Sequence, residues 1–444
     1  MRIGLVGSGG REHALAKVLA ANRERDSLIV FANSINPGIQ RLAHRMSLGS
    51  LSDSKAIANA LTSEGVELVV IGPEAPLIAG TVDELRGRGI LAVGPTRLQA
   101  RLESDKSFMR DLLKRRVGWG SPQWCLAHSR AEAQDFIHQI GEVAVKPLGL
   151  TGGKGVKVMG TQLAGEDEAV DYAAEWIARD GMVLLEERLV GEEFSRMVFA
   201  SDNGFVPMPV AQDFKYAFDS DSGSMTGGMG SYTMADGTLP FLNDEDLRQA
   251  DQLIGATLQA IAEETGNPYR GVLYGQFMVT AKGIRLVEFN ARFGDPEAIN
   301  MMSLLQSDAP HLFMEVASGR VDKAIVDFAQ KASVVRYLVP QVYPEALAGP
   351  LIFDFNEKEA EAAGLDIIFA SVAPADGGRL QALGSRTLAL VGLDGHPDVV
   401  ARRMDSFLAA HLPDGLRYRR DIGAAQIIQQ KTERMRILRL EGGV

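Results

Sequence analysis

Cysteine is almost absent: Cys125 is the single one in 444 residues. No intrachain disulfide can form, and a zinc site built on cysteines is excluded. Set in Gln-Trp-Cys-Leu at 123–126, it reads as a small core residue. Positive charge is also in deficit, with 46 Lys and Arg against 57 Asp and Glu, a net charge of −11. A general nucleic-acid binder needs a basic excess to displace counterions, so no nucleic-acid partner is expected. Local basic pockets for phosphates remain open. No apolar run approaches the ~20 residues that span a bilayer. The N-terminus reads as a strand entering a turn and not as a signal peptide. No membrane partner is expected, and the expected location is cytoplasmic. Repeats and low-complexity tracts are missing as well.

Two nucleotide signatures fail. Residues 3–6 form a short apolar strand, followed by Gly-Ser-Gly-Gly at 7–10 and a helical pattern. Such a turn presents N–H groups and a positive helix end to an anion. The dinucleotide fingerprint, however, requires glycine where Glu12 stands, and the second strand ends in Ala32-Asn33 instead of an acid. Phosphate or sugar phosphate is therefore favoured over a nicotinamide cofactor. The Walker pattern is absent too, because Lys154 is followed by Gly155.

The most informative stretch that is present is 288–297, Glu-Phe-Asn-Ala-Arg-Phe-Gly-Asp-Pro-Glu. It ends a predicted hairpin of two alternating runs, 274–280 and 284–288, around the turn 281–283. Glu288 and Asn290 share one strand face, opposite Val287 and Phe289. A carboxylate and an amide oxygen side by side are hard ligands suited to Mg²⁺ carrying phosphates. Gln276 on the partner strand offers a third oxygen, and Arg292 and Asp295 follow on the turn.

A chain of this length needs two to four domains. Strands at 67–71 and 89–93 continue a doubly wound pattern and end in loops where such folds bind ligands. Glu74, on the first of those loops, suits either sugar hydroxyls or the cap of the next helix. Lys106 falls in the first turn of a predicted helix, 104–115, where a lysine is unfavourable unless it faces an anion or lies in solvent. The strand 142–147 carries Lys146 into a loop, 148–155, with Gly152, Gly153 and Lys154, able to fold N–H groups over phosphates. Residues 182–190 and 194–199 suit a nucleotide-base hinge, with backbone near Glu187 to Leu189 at the base and Glu193 at the ribose. A second glycine-rich segment, 224–231, reads as an anion loop or as a mobile surface loop. Beyond about residue 332 the pattern is a small α+β domain that supports a site.

Taken together, the motifs at 9–15, 72–77, 104–106, 146–156, 226–230 and 288–297 resemble, in order, those of the phosphoribosylamine–glycine ligase family of ATP-grasp enzymes, and 418–423 extends the likeness. The resemblance implies an α/β and α+β multidomain protein. Residues 1–103 would form an open parallel α/β domain for phosphoribosylamine. The large ATP-grasp lobe would comprise 104–120 and 186–331, the small lobe 121–185, and a C-terminal α+β domain 332–444. It implies ATP with Mg²⁺ or Mn²⁺ as cofactors, and glycine and 5-phosphoribosylamine as substrates, in a monomer or weak dimer. Glu288, Asn290 and Gln276 would hold metal. Lys106, Lys146 and Lys154 would meet phosphates, together with Gly152 and Gly153. Glu186, Glu187, Leu189 and Glu193 would hold adenosine. Arg292 would stabilise the transferred phosphoryl group or glycine's carboxylate, and Asp213 and Asp295 would orient amines. Gly9, Gly10 and Glu74 would hold the sugar phosphate, with Lys215, Thr226, Gly227 and Gly228 around the substrates. The chain departs from the family pattern at Phe214, Tyr216, Ser224-Met225 and Ala298-Ile299, all expected where the glycine or the amine sits. An ATP-grasp ligase for another amino acid or amine is the alternative. A nicotinamide oxidoreductase or a nucleotide sensor lies further off.

Overall fold

The computed structural model describes residues 1–21, 27–149 and 155–442. The first domain is a five-stranded parallel sheet in the order Arg45–Leu48, Leu28–Ala32, Ile3–Val6, Leu68–Ile71, Leu91–Val93. Its central strands are continuous runs of apolar residues because helices cover both faces. The edge strand Arg45–Leu48 escapes the sequence reading: it is largely exposed and carries no apolar pattern. Strand order reverses between Ile3–Val6 and its neighbours. The loops after Val6 and Ile71 therefore flank a crevice at the carboxyl ends of the strands.

A four-stranded antiparallel sheet follows, in the order Trp124–Ala127, Val183–Glu187, Val143–Lys146, Lys157–Val158. The helices Arg130–Ile140 and Glu166–Asp180 supply its small core, with Ala133, Ile137, Val170 and Ala173 against Val143, Val145, Val183 and Leu185. Residues 188–190 lead from it into the central sheet, ordered Gly204–Pro207, Gly191–Ser201, Gly271–Thr280, Gly283–Asn290. One face of that sheet is aromatic. Phe194 stacks on Phe277 at 5.5 Å, and Phe277 meets Phe289 edge-on.

The fourth sheet joins Gln212–Asp213, Gly230–Thr233, Ala332–Pro340, Leu388–Asp394 and Asp366–Phe369. Strands from before and after residue 332 thus share one ladder. The helix Ala425–Glu441, unmarked in the sequence, buries only Ile428 and Met435, seven residues apart. Polar pairs hold it instead: Lys431 and Arg434 reach the buried Glu192 at 3.0 and 3.1 Å. Among the described residues no helix is long and apolar enough to cross a membrane.

The first domain is fastened to the last. Asn36 Nδ2 donates to the carbonyls of Ser8 and Phe369. His13 stacks on Phe369, and its Nδ1 accepts the Phe369 N–H at 2.9 Å. Burial, with Lys17 and Arg41 nearby, lowers the His13 pKa to about 3. The unfolded chain therefore binds more protons than the native one between that value and about 6.5, so stability rises with pH across this window and is lost on acidification. At pH 5 the loss from this group is about 2 kcal/mol relative to neutral pH. His13→Asn, which keeps an acceptor but does not titrate, is expected to flatten the dependence of unfolding on pH between 5 and 7. Parallel slopes for the two proteins would refute this.

Candidate active site

The predicted hairpin is extended to Gly271–Thr280 and Gly283–Asn290, with Gln276 directly opposite Glu288 and Tyr274 opposite Asn290. An irregularity after Gln276 leaves Val287 as the extra residue on its strand. Phe289 is buried while Glu288 and Asn290 are half-buried on the other face. Glu288 makes no hydrogen bond or ion pair among the described residues. Asn290 Oδ1 accepts only from Arg292, at 3.2 Å. Two open oxygens on a rigid strand fit a Mg²⁺ whose other positions belong to phosphates and water. Among the described residues there is no group of three or more His, Cys, Asp or Glu that could hold an ion by itself. Gln276, expected as a third ligand, turns elsewhere. Its oxygen accepts from Tyr274 and Ser195, and its amide nitrogen donates to Glu193 at 2.8 Å and Asp213 at 3.3 Å.

Cations border this face on one side. Lys146, buried at the end of its strand, reaches Glu186 at 2.6 Å. Arg110, from the helix Lys106–Arg116, takes the other Glu186 oxygen at 2.6 Å and also donates to the carbonyls of Leu286 and Val287. Burial alone would raise the Glu186 pKa, but Arg110 and Lys146 outweigh it and lower it. Glu186, expected to touch adenosine, has one oxygen on Arg110 and the other on Lys146. Lys106 donates to the carbonyls of Pro147 and Gly149, at the root of the glycine-rich loop. Burial and Lys146 lower its pKa, against the pull of Glu288. Gly152, Gly153 and Lys154 lie outside the described residues. Glu187 accepts from Gln123, and half-buried Leu189 lies in the connector between the two sheets.

On the other side the hairpin meets the first domain. Arg292 pairs with Glu103 at 2.9 Å and lies 3.5 Å from Glu74. These acids raise its pKa despite its burial. In turn Arg292 and Arg11 overcome the burial of Glu74 and lower its pKa. Arg11 donates to Phe293 O at 2.9 Å, which brings the Gly9–Gly10 turn against the hairpin. Glu12, the residue that breaks the dinucleotide pattern, accepts from Gly9 N at 2.6 Å and from Arg11. A β-carbon on Gly10 would lie 2.3 Å from the Tyr337 hydroxyl, so glycine is required there by close approach.

Tyr337 and Arg386, from the C-terminal part, were missed by sequence reasoning. Tyr337 donates to Asp295 Oδ1 at 2.6 Å and Arg386 to Oδ2 at 3.1 Å. Arg386 also takes the carbonyls of Gly227 and Gly228. Asp295, expected to orient an amine, is therefore held by protein on both oxygens. Thr226 donates to Lys215 O at 2.9 Å. Lys215 meets Glu193 at 2.8 Å and lies 3.8 Å from Asp213. Burial pushes Asp213 up to about 7; Lys215 opposes this, while Glu297 and Glu193 add to it. Burial would lower the Lys215 pKa, but Asp213, Glu193 and Glu288 outweigh it and raise it.

Three of the departures from the family pattern, Phe214, Ala298 and Ile299, are buried in the core. Phe214 is 2 % exposed, packs on Tyr232 and lies under Arg419 and Lys431, and Ala298 and Ile299 are fully buried. All three are packing residues behind the site. Their place beside the motifs suggests the substrates, but spacing alone does not tell which face of their segments is buried.

Residues 1–103 match the family described as phosphoribosylglycinamide synthetase, N domain, and residues 104–298 its ATP-grasp (A) domain. The chain is 42 % identical over 439 residues to the phosphoribosylamine–glycine ligase of Thermococcus gammatolerans, covering 98 % of each. It is 40 % identical to that of Methanosarcina barkeri, covering 99 % of this chain and 100 % of the other. The crystal structure of phosphoribosylamine–glycine ligase from Thermotoga maritima superposes with a TM-score of 0.79 at 26 % identity, over 95 % of this chain and 100 % of that one. A biotin carboxylase domain from Hydrogenobacter thermophilus shares the fold, at a TM-score of 0.67 and 15 % identity over 98 % and 94 % of the chains. By sequence and by architecture, the chain belongs to the phosphoribosylamine–glycine ligase family.

Proposed function

We propose a division of labour for the family's reaction, the ATP-dependent joining of glycine to 5-phosphoribosylamine. Glycine's carboxylate attacks the γ-phosphate of ATP, giving glycyl phosphate and ADP. The amine of phosphoribosylamine then attacks the acyl carbon and expels phosphate, leaving glycinamide ribonucleotide. The observation that carries the reading is the pair Glu288 and Asn290, open on one strand face between Lys146 and Lys106 on one side and Arg292 on the other. Both reactants are anionic, so positioning and charge neutralisation are the main requirements. A divalent cation, Mg²⁺ or Mn²⁺, held by Glu288 and Asn290 would offset phosphate charge. Lys106 and Lys146 face the nucleotide phosphates, Lys146 steadied by Glu186. The connector around Glu187 and Leu189 lies along the base, and Glu193 at the ribose. The Gly9–Gly10 turn and Glu74 hold the sugar phosphate at the crevice of the parallel sheet. Asp213, Lys215 and the Thr226–Gly228 segment enclose the amines.

The test follows ADP release with ATP, Mg²⁺, glycine and phosphoribosylamine generated in place from ribose 5-phosphate and ammonia, leaving out one component at a time. ADP and glycinamide ribonucleotide are expected in equal amounts, and only in the complete mixture. ADP release indifferent to glycine, or faster with another amino acid, would refute this substrate assignment.

A further inference from the structure

We propose that Lys431, on the C-terminal helix Ala425–Glu441, is a positioning residue for the amine side of the site, acting through Glu192, Asp221 and Phe214. This rests on the ligase reading above, in which Asp213 and Lys215 enclose the amines. Ile428, Lys431 and Met435 are three and four residues apart, so they share one face of the helix. The two apolar residues are buried and set the stem of the lysine against the protein. Lys431 Nζ donates to Glu192 Oε2 at 3.0 Å and lies 3.5 Å from Asp221 Oδ2. It also stands 5.3 Å from the centre of the Phe214 ring, which has the Arg419 guanidinium at 5.0 Å. One ammonium thus ties together three points of the chain that lie far from it in sequence.

Each of these points borders a residue of the site. Glu192 precedes Glu193, which accepts from Lys215 at 2.8 Å. The Gln212 amide nitrogen donates to both Glu192 and the Glu193 carbonyl. Phe214 is buried between half-buried Asp213 and Lys215, so the seat of its ring sets where its two neighbours point. Asp221 lies at the tip of the hairpin Tyr216–Phe218 and Ser222–Met225, which begins directly after Lys215. There Ser220 and Asp221 have φ of 59° and 50°, and no other non-glycine residue among the described ones has a positive φ. Such a backbone persists where its surroundings hold it. Asp421 holds it by accepting from Ser220 N at 2.9 Å, and Arg419 and Lys431 hold it through the Asp221 carboxylate. Arg434 supplies the comparison. It reaches the same Glu192 carboxylate at 3.1 Å, but its side chain is 57 % exposed and Glu192 is its one ion-pair partner among the described residues.

Lys431→Met keeps the apolar stem and removes the charge. Assayed well below its melting midpoint, it is expected to raise the KM for at least one of glycine and phosphoribosylamine by about tenfold or more, because small misplacements of a site are costly even when they start far from the chemistry. The ATP KM should stay within about threefold. Lys431→Arg, which can still reach both carboxylates, should keep at least about a third of kcat/KM, and Arg434→Met should stay within about twofold of the unaltered enzyme. Asp221→Asn suits the left-handed backbone and leaves Glu192 paired, so it should raise the same KM by roughly threefold or more on an intact fold. That variant decides the matter if Lys431→Met does not fold. A lower melting temperature with all three KM values unchanged in Lys431→Met overturns the assignment, as does an equal rise for all three substrates. An equal effect of Arg434→Met, or unchanged kinetics in Asp221→Asn, overturns it as well. Failure of the unaltered enzyme to form glycinamide ribonucleotide instead overturns the ligase reading on which the assignment stands.

Discussion

Glu288→Gln is expected to lower kcat/KM for ADP formation by on the order of 10²–10³-fold while leaving the fold intact. The two halves of that expectation have one cause. Glu288 makes no hydrogen bond or ion pair among the described residues, so the native state loses no contact when its charge is removed. Substitutions away from packing and paired groups usually change stability by no more than about 0.5 kcal/mol. The carboxylate therefore matters for what it would bind. Without it, Asn290 is the remaining open oxygen on that face, and the half-saturating Mg²⁺ concentration should rise along with the loss of rate. The measurement is a Mg²⁺ titration of initial rate on both proteins, with a melting curve beside it. A variant that keeps more than about a tenth of the activity would remove Glu288 from the metal site.

Glu186→Gln is expected to do the reverse, acting first on stability. The carboxylate lies between Arg110, which is fully buried, and Lys146, at 2.6 Å from each. Removing one charge from such a cluster leaves the other ions buried and uncompensated, at a cost of about 3–5 kcal/mol. In melting temperature that is a fall on the order of 10 °C. Adding Lys146→Met to the variant should cost less than the sum of the two single changes, because the lysine has already lost its partner. Strict additivity, or a melting curve matching that of the unaltered protein, would mean that the three groups do not act as a unit. Activity should fall as well, since a lysine without Glu186 is free to leave the phosphate side of the site.

The face carrying Glu288 and Asn290 was legible because the side-chain period of a strand is local. Phe289 between them is buried, and burial of one strand face sets the other toward solvent or ligand. Short-range pattern likewise exposed the glycine turn at 7–10 and the strands that pair as Val143–Lys146 and Lys157–Val158, and the order of motifs along the chain identified the family. What pattern could not supply was the identity of partners. Arg110 reads as one more basic residue on a helix, yet it bonds Leu286 and Val287, 176 and 177 residues away. Gln276 shares a face with Glu288, as the period requires, but Tyr274, Ser195, Glu193 and Asp213 claim its hydrogen bonds.

The sequence by itself determined the parallel first domain, the hairpin, the acid–amide pair on one strand face and, through its motifs, the family. These depend on neighbours within a few residues, where backbone geometry dictates which side chains share a face. Only the tertiary structure decided that Glu186 serves Lys146, that Arg386 and Tyr337 hold Asp295, that Phe214 packs behind the site, and that Lys431 joins Glu192 to Asp221. Each of those is settled by which distant groups reach the same few ångströms. A buried polar atom finds its partner across the fold, and spacing along the chain carries no record of it.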